Sequence, residues 1–226
     1  NYFGKIQIQC VKDGKILVEY TANKPVVAEP SIVEQVVPVV TKNPIMGESD
    51  VSYLQMAKYL ISNNNSQFAK ENAINLAKYY LEEGKVEGVR GDIAFAQALK
   101  ETGYLKFGGD VVPEQNNFCG LGTTGGGVKG AYFETQRLGV RAQIQHLKAY
   151  ASVDPLVNDI VDPRYSLVVK GKYPNWEDLN GHWAVPGIGY GESIIDIYKK
   201  IKLTIPSQEI LDLESAQKEQ AEITVE

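Results

Sequence analysis

Glu101 is the residue best placed to act as an acid. It ends the stretch IAFAQALKE, whose other members are nearly all apolar or small. A carboxyl at the C-terminal end of a buried helix feels two effects. Desolvation disfavours its charged form, and the negative end of the helix dipole disfavours it again. Both raise its pKa, as general acid catalysis at neutral pH requires. A solvated glutamate at a helix end fits the same spacing, and most charged helix residues are of that kind. Gln97 lies one turn earlier on the same face.

Two further stretches carry polar or aromatic groups of interest. The run QNNFCGLG places Asn116, Asn117 and Phe118 between glutamine and glycine. Asparagine and glycine suit tight turns with positive φ, and amides also hydrogen-bond sugar hydroxyls and N-acetyl groups, so both readings stand. Tyr165, Tyr173, Trp176, Trp183 and Tyr190 crowd one region. Their faces suit the C–H faces of sugar rings, and they equally suit a core.

Other chemistries drop out. GLGTTG formally matches a dinucleotide fingerprint, but no strand precedes it and no βαβ unit follows. Cys10, Cys119, His146 and His182 are the only Cys and His residues, with neither HExxH nor zinc-finger spacing, so no metal or cofactor is expected. Cys119 reads as a buried structural thiol and His146 as a packed helix residue. With 23 Lys+Arg against 28 Asp+Glu, the net charge of −5 disfavours nucleic acid as a partner. No apolar run is long enough to span a membrane, and no secretion signal is visible at Asn1.

The elements expected to position these residues are mainly helical. Ser49, Ser66, Asp92 and Thr135 stand before periodic apolar runs as helix starts, with Gly84 as the stop of the second helix. GESIIDIYKKI, residues 191–201, reads as a fifth helix. Residues 104–135 are glycine-rich with no helical period, a long loop of the kind that is usually functional. Alternation around Asp13-Gly14 predicts a small β-hairpin. The expected organisation is a hairpin with a Pro/Val-rich linker over 1–44, a helical domain over 45–204, and a polar tail or linker over 205–226.

In combination, GVRGDIAFAQALKETG, NNFCGLG, AYFETQRLGVRAQIQHLKAYA and DPRYSLVVKGKYPNWEDLNGHWAVPGIGYGESI resemble the glucosaminidase domain of glycoside hydrolase family 73, in its clostridial-type branch. Autolysins, flagellum-associated wall hydrolases and phage endolysins share this arrangement. The resemblance covers about residues 45–203. It implies a lysozyme-like, mostly α fold acting outside the cell on peptidoglycan glycan strands, as a monomer. It implies hydrolysis of the N-acetylglucosaminyl-β-1,4-N-acetylmuramyl bond with Glu101 as general acid. Tyr165 matches a tyrosine used near the reacting sugar. Gln97, Tyr104, Asn116, Asn117, Phe118, Trp176 and Trp183 are the expected substrate contacts. Many members carry a second glutamate on a hairpin lobe, for which TTGGGVKGAYFE is too short; Glu134 is the nearest match. Two schemes follow. Glu134, Asp162 or another acid activates water, or the substrate's N-acetyl group participates with Tyr165 beside it. A lytic transglycosylase, a muramidase and a non-catalytic wall-binding or virion module are the alternatives.

Overall fold

This computed structural model describes residues 7–12, 15–21, 42–123 and 126–223, and the chain divides into two compact units, 1–40 and 41–226. In the first, β1 (Gln7–Lys12) and β2 (Lys15–Thr21) pair antiparallel, Cys10 opposite Val18, with an irregularity between Cys10 and Val11. Asp13-Gly14 and most of the Pro/Val-rich stretch lie outside the described residues.

The second unit is mainly helical: α1 (Tyr53–Asn63), α2 (Gln67–Glu87), α3 (Gly91–Glu101), α4 (Gln136–Ala151), α5 (Tyr190–Lys202) and α6 (Gln208–Ile223). Its chain is already anchored at Asn43, whose backbone N–H and amide donate to Glu177, and at Ile45, whose N–H donates to Pro174 O at 2.9 Å. α3 is the axis of the unit. Every residue from Gly91 to Leu99 is buried, because α1, α2, α4 and α5 all pack on it. This explains a helix sequence that is apolar nearly all round.

Two helix boundaries differ from those the sequence suggests. Ser52, not Ser49, caps α1, forming a reciprocal capping box with Gln55. Ser49 instead accepts from the Asp92 N–H at 3.2 Å, at the start of α3. Helix α2 runs past Gly84 to Glu87 and stops at Gly88, which takes φ 74° as a left-handed cap. Ser66 and Thr135 do cap α2 and α4.

Ion pairs to two buried glutamates lock α2 to α4. Glu83 receives Arg137 and Arg141 at 2.7 and 2.8 Å, and Glu87 receives Lys148 at 2.8 Å. The polar stretch after Pro206 forms α6, which docks through buried Ile210 and a 2.6 Å bond from Tyr53 to Glu214.

Among the described residues between α3 and α4 the chain is irregular except for a short turn at Pro113–Gln115. One glycine fixes where this loop lies. A Cβ on Gly139 would sit 1.7 Å from Asn116 O, so α4 and the loop touch backbone to backbone. Gly139→Ala is expected to cost about 2–3 kcal/mol, since neither partner is a flexible side chain. A lowered Tm together with reduced activity checks this.

Candidate active site

Glu101 closes α3 at the mouth of a cleft. Its residue surface is exposed there, while the protein packed around its carboxyl pushes its pKa up; a hydrogen bond from Tyr190 and the charge of Lys100 oppose that rise. The Tyr190 hydroxyl donates to Glu101 Oε1. Burial pushes the pKa of Tyr190 well above its ordinary value, with the Glu101 charge adding to it, so Tyr190 keeps the proton it donates. Behind it runs a buried chain of donors. Tyr80 donates to Gln143 Oε1 at 2.5 Å, Gln143 Nε2 to Gln97 Oε1 at 2.8 Å, and Gln97 Nε2 to the Tyr190 oxygen at 2.9 Å. Every donor in it points towards Glu101. Because Oε1 already accepts, an acid proton on Glu101 belongs on Oε2.

Glu101, Thr102, Phe107, Asp110, Asn117 and Phe118 line a cavity of about 220 Å³ beside this carboxyl. The turn after α3 brings the chain round to Asp110. Tyr104, Leu105 and Phe107 take φ of 61°, 59° and 55°, a left-handed run unusual for such side chains. Thr102 holds it, accepting from the Leu105 N–H at 2.9 Å. Besides Glu101, Asp110 is the acid of this lining, and the sequence does not single it out. Its signal was an acid in a glycine-rich segment between Glu101 and the asparagine loop.

Residues 77–203 match the glucosaminidase family, described as mannosyl-glycoprotein endo-beta-N-acetylglucosaminidase. That match spans more than half of the chain. The chain belongs to this family, glycoside hydrolase family 73. An uncharacterized protein of Borreliella burgdorferi (strain ATCC 35210 / DSM 4680 / CIP 102532 / B31) is 47% identical over 120 residues, covering 53% of this chain and 59% of that protein. The chain thus matches less than two thirds of that relative's length. No solved structure matches the chain. Family membership places residues 77–203 among glycosidase domains. Among the described residues no helix is long and apolar enough to cross a membrane.

Within the glucosaminidase unit the expected substrate contacts separate into wall, scaffold and core. Phe118 is buried and forms cavity wall. Asn117 also lines the cavity, but its amide is spent on the loop, accepting from the Leu121 N–H and donating to Leu121 O, both at 2.9 Å. Asn116, at φ 51°, donates to Phe133 O at 2.9 Å. Turn chemistry therefore claims both amides. Gln97 does not reach substrate: it is fully buried and both ends of its amide are bonded internally. Trp176 is likewise core, with none of its surface exposed. Half-buried Tyr104 packs its ring 6.1 Å from that of Tyr59, away from the cavity lining.

The remaining predicted residues lie elsewhere. Trp183 lines a second cavity, of about 320 Å³, which shares Gly120 and Thr123 with the first. Tyr165 lies just before Leu167–Val169, which wall that cavity, and its ring carries Lys170 Nζ 3.9 Å from the centroid. Glu134 is exposed and lines neither cavity. Asp162 is buried and committed: it pairs with His146 at 2.7 Å and accepts from the Arg164 N–H at 2.8 Å.

Tyr190→Phe tests the donor chain. Losing a hydrogen bond to the charged carboxylate raises the Glu101 pKa further. For a Glu101 that serves as general acid, the alkaline limb of the kcat/KM profile then moves to higher pH. The orphaned Gln97 amide also lowers stability by about 1–3 kcal/mol. A profile that stays in place while Tm falls assigns Tyr190 a packing role only.

Proposed function

We propose that the helical unit is a lysozyme-like hydrolase that cuts the β-1,4 bond between N-acetylglucosamine and N-acetylmuramic acid in peptidoglycan. The glucosaminidase domain is taken as residues 45–204, with the glycine-rich loop between α3 and α4 as part of its active site. The observation that carries this reading is the state of Glu101. Its carboxyl has a raised pKa, one oxygen accepts from Tyr190, and the residue lines a cavity. Glu101 Oε2 gives its proton to the leaving glycosidic oxygen as the bond to C1 breaks. Water adds to C1, and Asp110, which lines the same cavity, takes the proton that water loses. The buried donor chain keeps Glu101 fixed while this happens, since a displaced acid loses most of its effect.

Digestion of purified walls tests the bond. New chain ends that are reducing N-acetylglucosamine support the proposal. Anhydro-muramic ends assign a lytic transglycosylase, and reducing muramic ends a muramidase. Walls that stay intact under a folded protein leave the non-catalytic module.

A further inference from the structure

We infer that the second cavity receives the N-acetylmuramyl residue of the strand beside the bond being cut, with His146 holding a ring hydroxyl and Arg164 the carboxylate-bearing arm. This inference rests on the glycosidase reading above and specifies the sugar that the neighbouring site takes.

His146 is the central observation. Only 7% of its surface is exposed, yet it lines the cavity. Its Nδ1 is bonded to Asp162 Oδ2 at 2.7 Å. Asp162 also accepts the Arg164 N–H on its other oxygen, at 2.8 Å, and with Asp162 as a carboxylate Nδ1 carries the hydrogen shared with Oδ2. In the neutral ring, Nε2 is then left as an acceptor. Among the described residues nothing bonds Nε2, and it is not among the polar atoms sealed from solvent. A buried imidazole with a fixed tautomer and a free acceptor facing a cavity is built to take a donor from a ligand.

The other walls define the ligand. Trp183 and Tyr150 flank the imidazole edge to face, with ring centroids 5.1 and 5.3 Å from it, and Tyr173 packs on Tyr150, giving apolar faces for a sugar ring. Arg164 lines the same cavity, and among the described residues its guanidinium has no ion-pair partner. A planar cation free beside a sugar-sized space suits a carboxylate, as on the lactyl-peptide arm of muramic acid. Gly120 and Thr123 line both this space and the Glu101 cavity, so the two adjoin, and one strand is inferred to run through both.

Cys119 lines the cavity too, which brings Cys, His and Asp together as in a thiol hydrolase. Burial and the nearby Glu101 and Asp162 charges push its thiol well above the usual pKa, and it makes no bond to His146. A protonated thiol is a poor nucleophile, so the cavity binds rather than reacts.

The test compares peptidoglycan strands with β-1,4-linked N-acetylglucosamine oligomers of equal length. Arg164→Gln is expected to fold, since its exposed side chain holds no ion pair among the described residues. It should lose roughly tenfold or more in kcat/KM on peptidoglycan, mostly through KM, and stay within about twofold on the oligomers. Equal rates on both substrates, or equal losses on both, overturn the inference while wild-type activity still supports the glycosidase. A folded wild-type enzyme that cuts neither substrate overturns the glycosidase reading itself. In the Glu101→Gln protein, the ¹⁵N signal of His146 Nε2 should move when N-acetylglucosaminyl-N-acetylmuramic acid binds. An unmoved signal alongside shifted resonances around residue 101 overturns the hydroxyl contact.

Discussion

Glu101→Gln should fold with an unchanged Tm and lose wall hydrolysis by at least ~10²-fold. The substitution is close to a pure test of proton donation. The glutamine carbonyl can still accept from Tyr190, so the buried donor chain from Tyr80 keeps its last acceptor. What disappears is the acidic proton on the oxygen that Tyr190 does not hold. The position lies at a cleft mouth, not inside the helix core, and an amide replaces a carboxyl of the same shape, so no buried charge is stranded. Turbidity loss of purified walls gives the rate and calorimetry the Tm. Near wild-type hydrolysis at unchanged Tm removes Glu101 as the acid, and a large fall in Tm returns the residue to a structural role.

How much of this could be read beforehand depended on whether a signal was local. The caps at Ser66 and Thr135 and the buried α3 pattern are local, because hydrogen bonds and apolar spacing within one turn decide them. Ser49 was misassigned because its partner is the Asp92 N–H, 43 residues away. Gly84 looked like a stop because glycine often ends helices, whereas the left-handed cap falls at Gly88. Gln97 was placed on the correct face of α3, beside Glu101. That face proved to be covered by α5, whose Tyr190 lies between Gln97 and Glu101. Trp176 followed the commoner fate of tryptophan. Asp110 and the His146–Asp162 pair were not legible. Each depends on a loop path set by backbone turns and by contacts made far along the chain.

The second large effect concerns the group that completes the reaction. Asp110→Asn is expected to lose at least ~10²-fold in kcat, because asparagine cannot take a proton from water. Glu134→Gln should remain within about tenfold, since Glu134 is exposed and lines neither cavity. The two variants decide between Asp110 and Glu134, the nearest match in the sequence to the family's second glutamate. A structural role for Asp110 would also reduce activity, so a rescue experiment is needed. Asp110→Ala with added azide should regain turnover and release a glycosyl azide of inverted configuration, because a small anion needs no base. Participation by the substrate's N-acetyl group makes different demands. It leaves Asp110→Asn active, makes Tyr165→Phe the damaging change, gives retained configuration at the new reducing end, and makes de-N-acetylated walls a very poor substrate. The product anomer therefore reports on the same question as the variants, by an independent route. The donor chain allows either outcome, since it fixes only the acid. The deciding geometry lies across the cavity, where the strained turn from Tyr104 to Phe107 delivers Asp110 to the space that Glu101 faces.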